Sequence, residues 1–84
     1  MSWYVYMVRC RDNSLYTGYT DDPERRLAVH NAGKGAKYTK SRLPVTLVYR
    51  EACPDKSTAL KREYALKRLK KAEKEALITT QHEI

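Results

Sequence analysis

The sequence predicts an α+β domain, with a small three-stranded antiparallel-type sheet flanked by helices in the order β-β-α-β-α-α. Three observations carry this. Side chains alternate with period two over Trp3–Arg9, Leu15–Thr20 and Val45–Glu51. Helix-start chemistry stands at Asp21-Asp22-Pro23-Glu24 and again at Ser57. A chain of 84 residues with 42% hydrophobic content has room for one folded core and no second domain.

Trp3, Val5 and Met7 share one face of the first strand, and Tyr4, Tyr6 and Val8 the other. Arg11-Asp12-Asn13-Ser14 is turn chemistry, so Leu15–Thr20 pairs back as a hairpin. Gly18 inside this second strand marks a bulge or a close backbone approach to a ligand. The first helix starts at Pro23 and stops near Asn31-Ala32-Gly33, where glycine takes the left-handed position. Lys34 to Arg42 reads as a basic loop, closed by Pro44 before the third strand. Ser57 caps a helix running to about Leu69, a break falls near Lys70, and a short helix covers Lys71 to Ile78. One domain spans 1–84, with its core at about 2–78 and a frayed tail at 79–84.

There are 17 Lys and Arg against 10 Asp and Glu, a net charge of +7. That balance favours a polyanionic partner, nucleic acid before an anionic membrane. No run approaches the roughly 18 apolar residues of a membrane span, and the N-terminal segment lacks the regions of a signal peptide. Cys10 and Cys53 have no metal-ligand spacing and read as buried free thiols in the reducing cytoplasm. The phosphate-loop, dinucleotide and zinc-protease motifs are missing, so ATP hydrolysis, dinucleotide binding and zinc-protease chemistry have no support.

Several residues stand out chemically. Ala59, Leu60, Leu66 and Leu69 mark an apolar stripe, and Glu63 falls inside it. A carboxylate there needs a cation or an ion pair, with an arginine of the first helix such as Arg26 as the pairing alternative. Arg26 and His30 are four apart on one helix face; guanidinium suits phosphate and imidazole can relay a proton. Lys34, Lys37, Lys40 and Arg42 space positive charge along a glycine-containing loop, with Tyr38 available to stack on a base.

Tyr4-Val5-Tyr6, followed by Tyr16-Thr17-Gly18, resembles the paired tripeptides of the GIY-YIG nuclease domain. Thr20, Pro23, Arg26 and His30-Asn31 fit that family's first helix, and Glu63 falls at its metal-binding glutamate. The loop from Gly33 to Thr39, with Pro44 and the strand ending at Glu51, is similar to its small stand-alone bacterial branch. The departures are Tyr4 and Val5 for Gly and Ile, Thr17 for Ile, Tyr19 at a frequent Lys position, and no Asn after Glu63.

The resemblance implies metal-dependent hydrolysis of nucleic-acid phosphodiesters, DNA before RNA, by a monomer, with a protein partner as a source of specificity. It implies that Glu63 holds one Mg²⁺ or Mn²⁺ and that Arg26 neutralises developing charge. It implies Tyr6 as general base and Tyr16 as the group positioning water or phosphate, roles that can be exchanged. A phenol with pKa near 10 is a poor base at neutral pH, so Arg26, His30 and the metal are expected to lower it. Gly18 and the basic loop complete the expected nucleic-acid face. A binding module that keeps the fold without catalysis is the other reading.

Overall fold

The computed structural model describes residues 2–82, and its sheet has the order β2-β1-β3 with β1 (Trp3–Arg9) in the centre. Both neighbours, β2 (Leu15–Thr20) and β3 (Thr46–Cys53), pair antiparallel to β1. The hairpin turn forms for local reasons. Asn13 takes a left-handed φ of 72°, which asparagine tolerates, and the Asp12 carboxylate accepts the Ser14 amide at 3.0 Å. A register shift between Met7 and Val8 lets β3 follow the central strand.

Four helices complete the chain: α1 (Pro23–Asn31), α2 (Lys37–Lys40), α3 (Lys56–Lys67) and α4 (Lys71–His82). The expected order therefore gains the single turn α2 inside the basic loop. The Asp22 carboxylate caps α1 by accepting the Arg25 amide at 3.1 Å. Gly33, at φ 76°, ends it. Asp55, rather than Ser57, caps α3, accepting the Thr58 amide at 2.7 Å. The break between α3 and α4 falls where the lysines predicted it, and the Glu73 side chain accepts the Lys70 amide at 2.9 Å.

The tail differs from expectation. Helix α4 continues through Thr79 and Thr80 to His82, and the Gln81 amide pairs with the Arg50 backbone of β3 at both N–H and carbonyl. Glu83 and Ile84, also assigned to the frayed tail, lie outside the described residues.

The strand alternation puts an apolar cluster on each face of the sheet. Val5, Met7, Tyr49 and Cys53 pack with Ala59 and Leu66 of α3 and Ile78 of α4. Tyr6, Val8, Cys10 and Val45 form the other cluster, with Leu27 of α1 against it. Both free cysteines are buried in these clusters, as expected. Leu60 is not in the stripe assigned to it: α3 turns it outward, 39% exposed, and buries Ala59 and Leu66. Thr17, at the position of the family's isoleucine, is buried with its hydroxyl unpartnered among the described residues.

Candidate active site

The edge strand β2, the central strand β1 and the helices α1 and α3 enclose an open cavity of about 370 Å³. Tyr6, Tyr16, Gly18, Arg26 and Glu63 all line it. Residues spread over 58 positions of sequence, from 6 to 63, thus meet at one cavity.

Tyr6 is buried, and strand register places it directly opposite Gly18. A Cβ at position 18 would sit 2.6 Å from the Tyr6 hydroxyl and 2.8 Å from Cζ. The glycine is there to let the tyrosine ring lie across β2. The close approach to Gly18 is thus made by Tyr6, and the residue also lines the cavity.

His30 stands behind the cavity, fully buried. Its Nε2 is 2.8 Å from the Tyr6 hydroxyl and its Nδ1 is 3.0 Å from Thr39 Oγ1. The Thr39 hydroxyl donates its only proton to the Ala36 carbonyl, at 2.8 Å. Thr39 therefore accepts from His30, which places the ring proton on Nδ1 and leaves Nε2 as an acceptor. Tyr6 donates to that nitrogen. Burial lowers the His30 pKa below the usual imidazole value, and the Arg26 charge adds to it, so the ring is neutral at pH 7.

The same burial raises the Tyr6 pKa. The Arg26 guanidinium beside the phenol pulls it down, while the neighbouring Tyr16 and Glu63 push it up, and desolvation outweighs the rest. Arg26 thus acts in the expected direction but does not by itself, without the metal, offset burial, and the neutral His30 adds no positive charge.

Glu63 is reached by α3 crossing the sheet toward β2. Its side chain is 16% exposed, and its ion-pair partner is Lys67, one turn away at 3.4 Å. Arg26 is not that partner, so the alternative of an interhelical ion pair does not hold. Tyr16 packs its ring edgewise on His30, at 5.5 Å between centroids, and stacks on Tyr38 at 6.0 Å.

The basic loop is only partly available. Lys34, Lys37 and Lys40 are exposed, and none is in an ion pair among the described residues. Arg42 is committed: its guanidinium lies 4.0 Å over the Tyr38 ring and reaches Asp12 at 3.1 Å. Tyr38, 40% exposed, is stacked on Tyr16 and covered by Arg42, so it supports Tyr16 before it is a platform for a base.

Sequence reasoning missed three features. Thr39 is fully buried and orients His30. Gly35 packs against that ring so closely that a Cβ would lie 2.3 Å from Nδ1. Trp3, Tyr19 and Lys56 line the outer part of the cavity. A polar Thr and a second glycine beside a candidate histidine were visible in the loop, but nothing local said that the loop folds back on α1.

Residues 2–76 match the family model described as the GIY-YIG catalytic domain. Among curated relatives, UPF0213 protein SH2523 of Staphylococcus haemolyticus is 59% identical over 75 residues, covering 89% of this chain and 92% of that protein. UPF0213 protein VNG_2274C of Halobacterium salinarum is 55% identical, covering 88% and 96%. The solution NMR structure of UPF0213 protein BH0048 from Bacillus halodurans has 48% identity and a TM-score of 0.61, covering 95% of this chain and 85% of that one.

Proposed function

The chain belongs to the GIY-YIG catalytic-domain family, a nuclease superfamily, and from that premise we propose that it is a divalent-metal-dependent endonuclease acting on DNA. The observation that carries this reading is the chain Tyr6–His30–Thr39–Ala36, which ends at a cavity that also holds Arg26 and Glu63. The Nε2 that accepts from Tyr6 belongs to a neutral imidazole, so it can take the phenolic proton as well as the hydrogen bond.

The donor set suits a hard, largely hydrated cation. Among the described residues no three His, Cys, Asp or Glu come together, which disfavours a zinc-type cage. One carboxylate opening into a cavity, with water and phosphate oxygens completing the shell, is normal for Mg²⁺ or Mn²⁺. Glu63 would hold it, and the ion when bound supplies charge relief at the phosphate and the leaving oxygen.

The chain's own groups supply the rest. Arg26 binds the scissile phosphate and neutralises charge that grows on its oxygens. Tyr6 takes a proton from the attacking water while its own phenolic proton passes to His30 Nε2. The water oxygen bonds to phosphorus, the bond to the leaving oxygen breaks, and that oxygen takes a proton from solvent. Handing the proton to His30 avoids a standing phenolate, which the raised Tyr6 pKa disfavours; the lowered His30 pKa makes the imidazolium short-lived, and its proton returns through Tyr6 to solvent, balancing the one taken by the leaving oxygen. Thr39 holds His30 in the receiving tautomer. Tyr16 orients the phosphate or the water from beside His30.

The test is cleavage of single-stranded, duplex and branched DNA with Mg²⁺ or Mn²⁺, by wild type and Glu63→Gln. The variant should lose activity by orders of magnitude. Its melting temperature should barely move, because the lost pair with Lys67 is a single helical one worth roughly 0.3–0.5 kcal/mol. Wild type that binds these DNAs and cleaves none of them with either metal would leave the non-catalytic binding module.

A further inference from the structure

We propose that Trp3, Tyr19 and Lys56 form a stacking subsite for one unpaired DNA base beside the scissile phosphate, making the substrate a single strand or a frayed end rather than continuous duplex. This rests on the nuclease reading of the cavity and adds the form of DNA it accepts.

The cavity wraps around an edge of the sheet. Tyr6, Tyr16 and Gly18 line it from one face. Strand alternation and the Val5–Tyr19 register put Trp3 and Tyr19 on the other face. Their rings are 6.1 Å apart and tilted by 36°; both are partly buried against the Val5 cluster, and the part of each that stays open lines the cavity. Lys56 is exposed, with its Nζ 5.6 Å from the centre of the Trp3 ring, and it is in no ion pair among the described residues.

Lys56 is over the Trp3 ring but at 5.6 Å, farther than the 4.0 Å at which Arg42 covers Tyr38, and swinging its flexible stem aside opens the aromatic face to a base and brings the ammonium to its phosphate without reading sequence. The volume, about 370 Å³, lies at the small end of the roughly 300–1,000 Å³ typical of single-ligand sites. A chain with its phosphate at Arg26 must turn around the β2 edge to reach Trp3. Duplex DNA, with a persistence length of about 150 base pairs, does not turn that sharply, whereas a single strand does.

Trp3 is the sole tryptophan, so its fluorescence reports on the subsite directly. The probe is oligothymidylate of about 12 nucleotides, within single-strand site sizes of roughly 4–16, beside its duplex with oligodeoxyadenylate. Binding is followed by anisotropy of labelled strands, and Trp3 emission is read with unlabelled ones. Single strand should quench Trp3 at saturation and duplex should not. Trp3→Leu and Tyr19→Leu should each weaken single-strand binding by roughly 5- to 100-fold and leave duplex binding unchanged. Lys56→Ala should reduce the slope of log K against log salt by roughly one.

Saturated single-strand binding without quenching, or equal quenching by both DNAs, overturns the proposal. The wild-type quench needs no variant, so a variant that fails to fold does not shield the idea. Quenching read without divalent metal is independent of cleavage. Lost quenching with cleavage intact sinks only the subsite, and absent cleavage with quenching intact sinks only the catalytic reading.

Discussion

Two tyrosine-centred polar networks lie in this chain, and they differ in what receives the phenolic proton. Tyr6 donates to a neutral imidazole nitrogen at 2.8 Å, and its ring borders a cavity shared with Arg26 and Glu63. Tyr49 donates to Glu51 at 2.7 Å, and Arg62 holds that carboxylate at 2.9 Å. Burial raises both phenol pKa values, and the Glu51 carboxylate raises that of Tyr49 further. Glu51 is already an ion-pair partner, so a proton passed to it would break the pair with Arg62. His30 has no such pair to lose. Comparable burial and hydrogen bonding thus give one tyrosine suited to relay a proton and one suited to fasten β3 to α3.

Substitution of each tyrosine breaks the comparison most directly. Tyr6→Phe should lower cleavage by roughly 10²- to 10⁴-fold, the range of a lost general base, and Tyr49→Phe should leave the rate unchanged. Tyr6→Phe should destabilise the fold by about 1 kcal/mol, since it leaves His30 Nε2 unpaired, and Tyr49→Phe by less, since Arg62 still donates to both oxygens of Glu51. Single-turnover rates and thermal melts read the two effects separately. Equal loss of rate in both variants would make the distinction false.

Thr39→Val sharpens it. Without the acceptor at Nδ1, the His30 proton moves to Nε2, which then donates to Tyr6 and can no longer accept. Cleavage should fall by roughly 10- to 100-fold, the usual effect of losing a group that orients a functional histidine. Thr39→Ser should restore it. Nitrogen-15 NMR of His30 should show the tautomer change; an unchanged tautomer would remove Thr39 from the relay.

Gly18→Ala tests how Tyr6 is seated. The added methyl overlaps the ring, so stability should fall by roughly 1–3 kcal/mol and cleavage should fall with it. Tyr6→Phe in the same background should not relieve the clash, because ring carbons as well as the hydroxyl lie within 3 Å of the added Cβ. An alanine variant as stable and active as wild type would show that the ring has room to shift.

The smallest effect is electrostatic and lies away from both tyrosines. Glu75 accepts two hydrogen bonds from Arg9 at 2.7 Å and one from Lys71, which lower its pKa from 4.5 to about 2. A carboxyl depressed in the folded state contributes its stability above pH 4.5 and loses it as pH falls toward 2. The group is a third exposed, so screening limits the loss to under about 1 kcal/mol. Acid melts of wild type and Glu75→Gln should converge across that window; parallel curves would dismiss the pair.

Much of the molecule was legible before any fold was known. Alternation determined the three strands, the acid-proline start at Asp22-Pro23 determined where α1 begins, and the break near Lys70 where α4 begins, because these signals act within a few residues. Glu63 was visible because a carboxylate is unusual inside an apolar stripe, and the ordered tyrosines, Arg26 and His30 were visible through the resemblance to the paired tripeptides and first helix of the GIY-YIG domain. The exposed Leu60 was misread because the angular width of a helix stripe depends on how α3 crosses β2. What only the tertiary structure decided is the function of the small residues. Gly18 makes room for Tyr6, Gly35 for His30, and Thr39 sets a tautomer. The direction of the Tyr6 pKa shift was also decided there, because desolvation depends on everything packed around a group, whereas a sequence displays only charges.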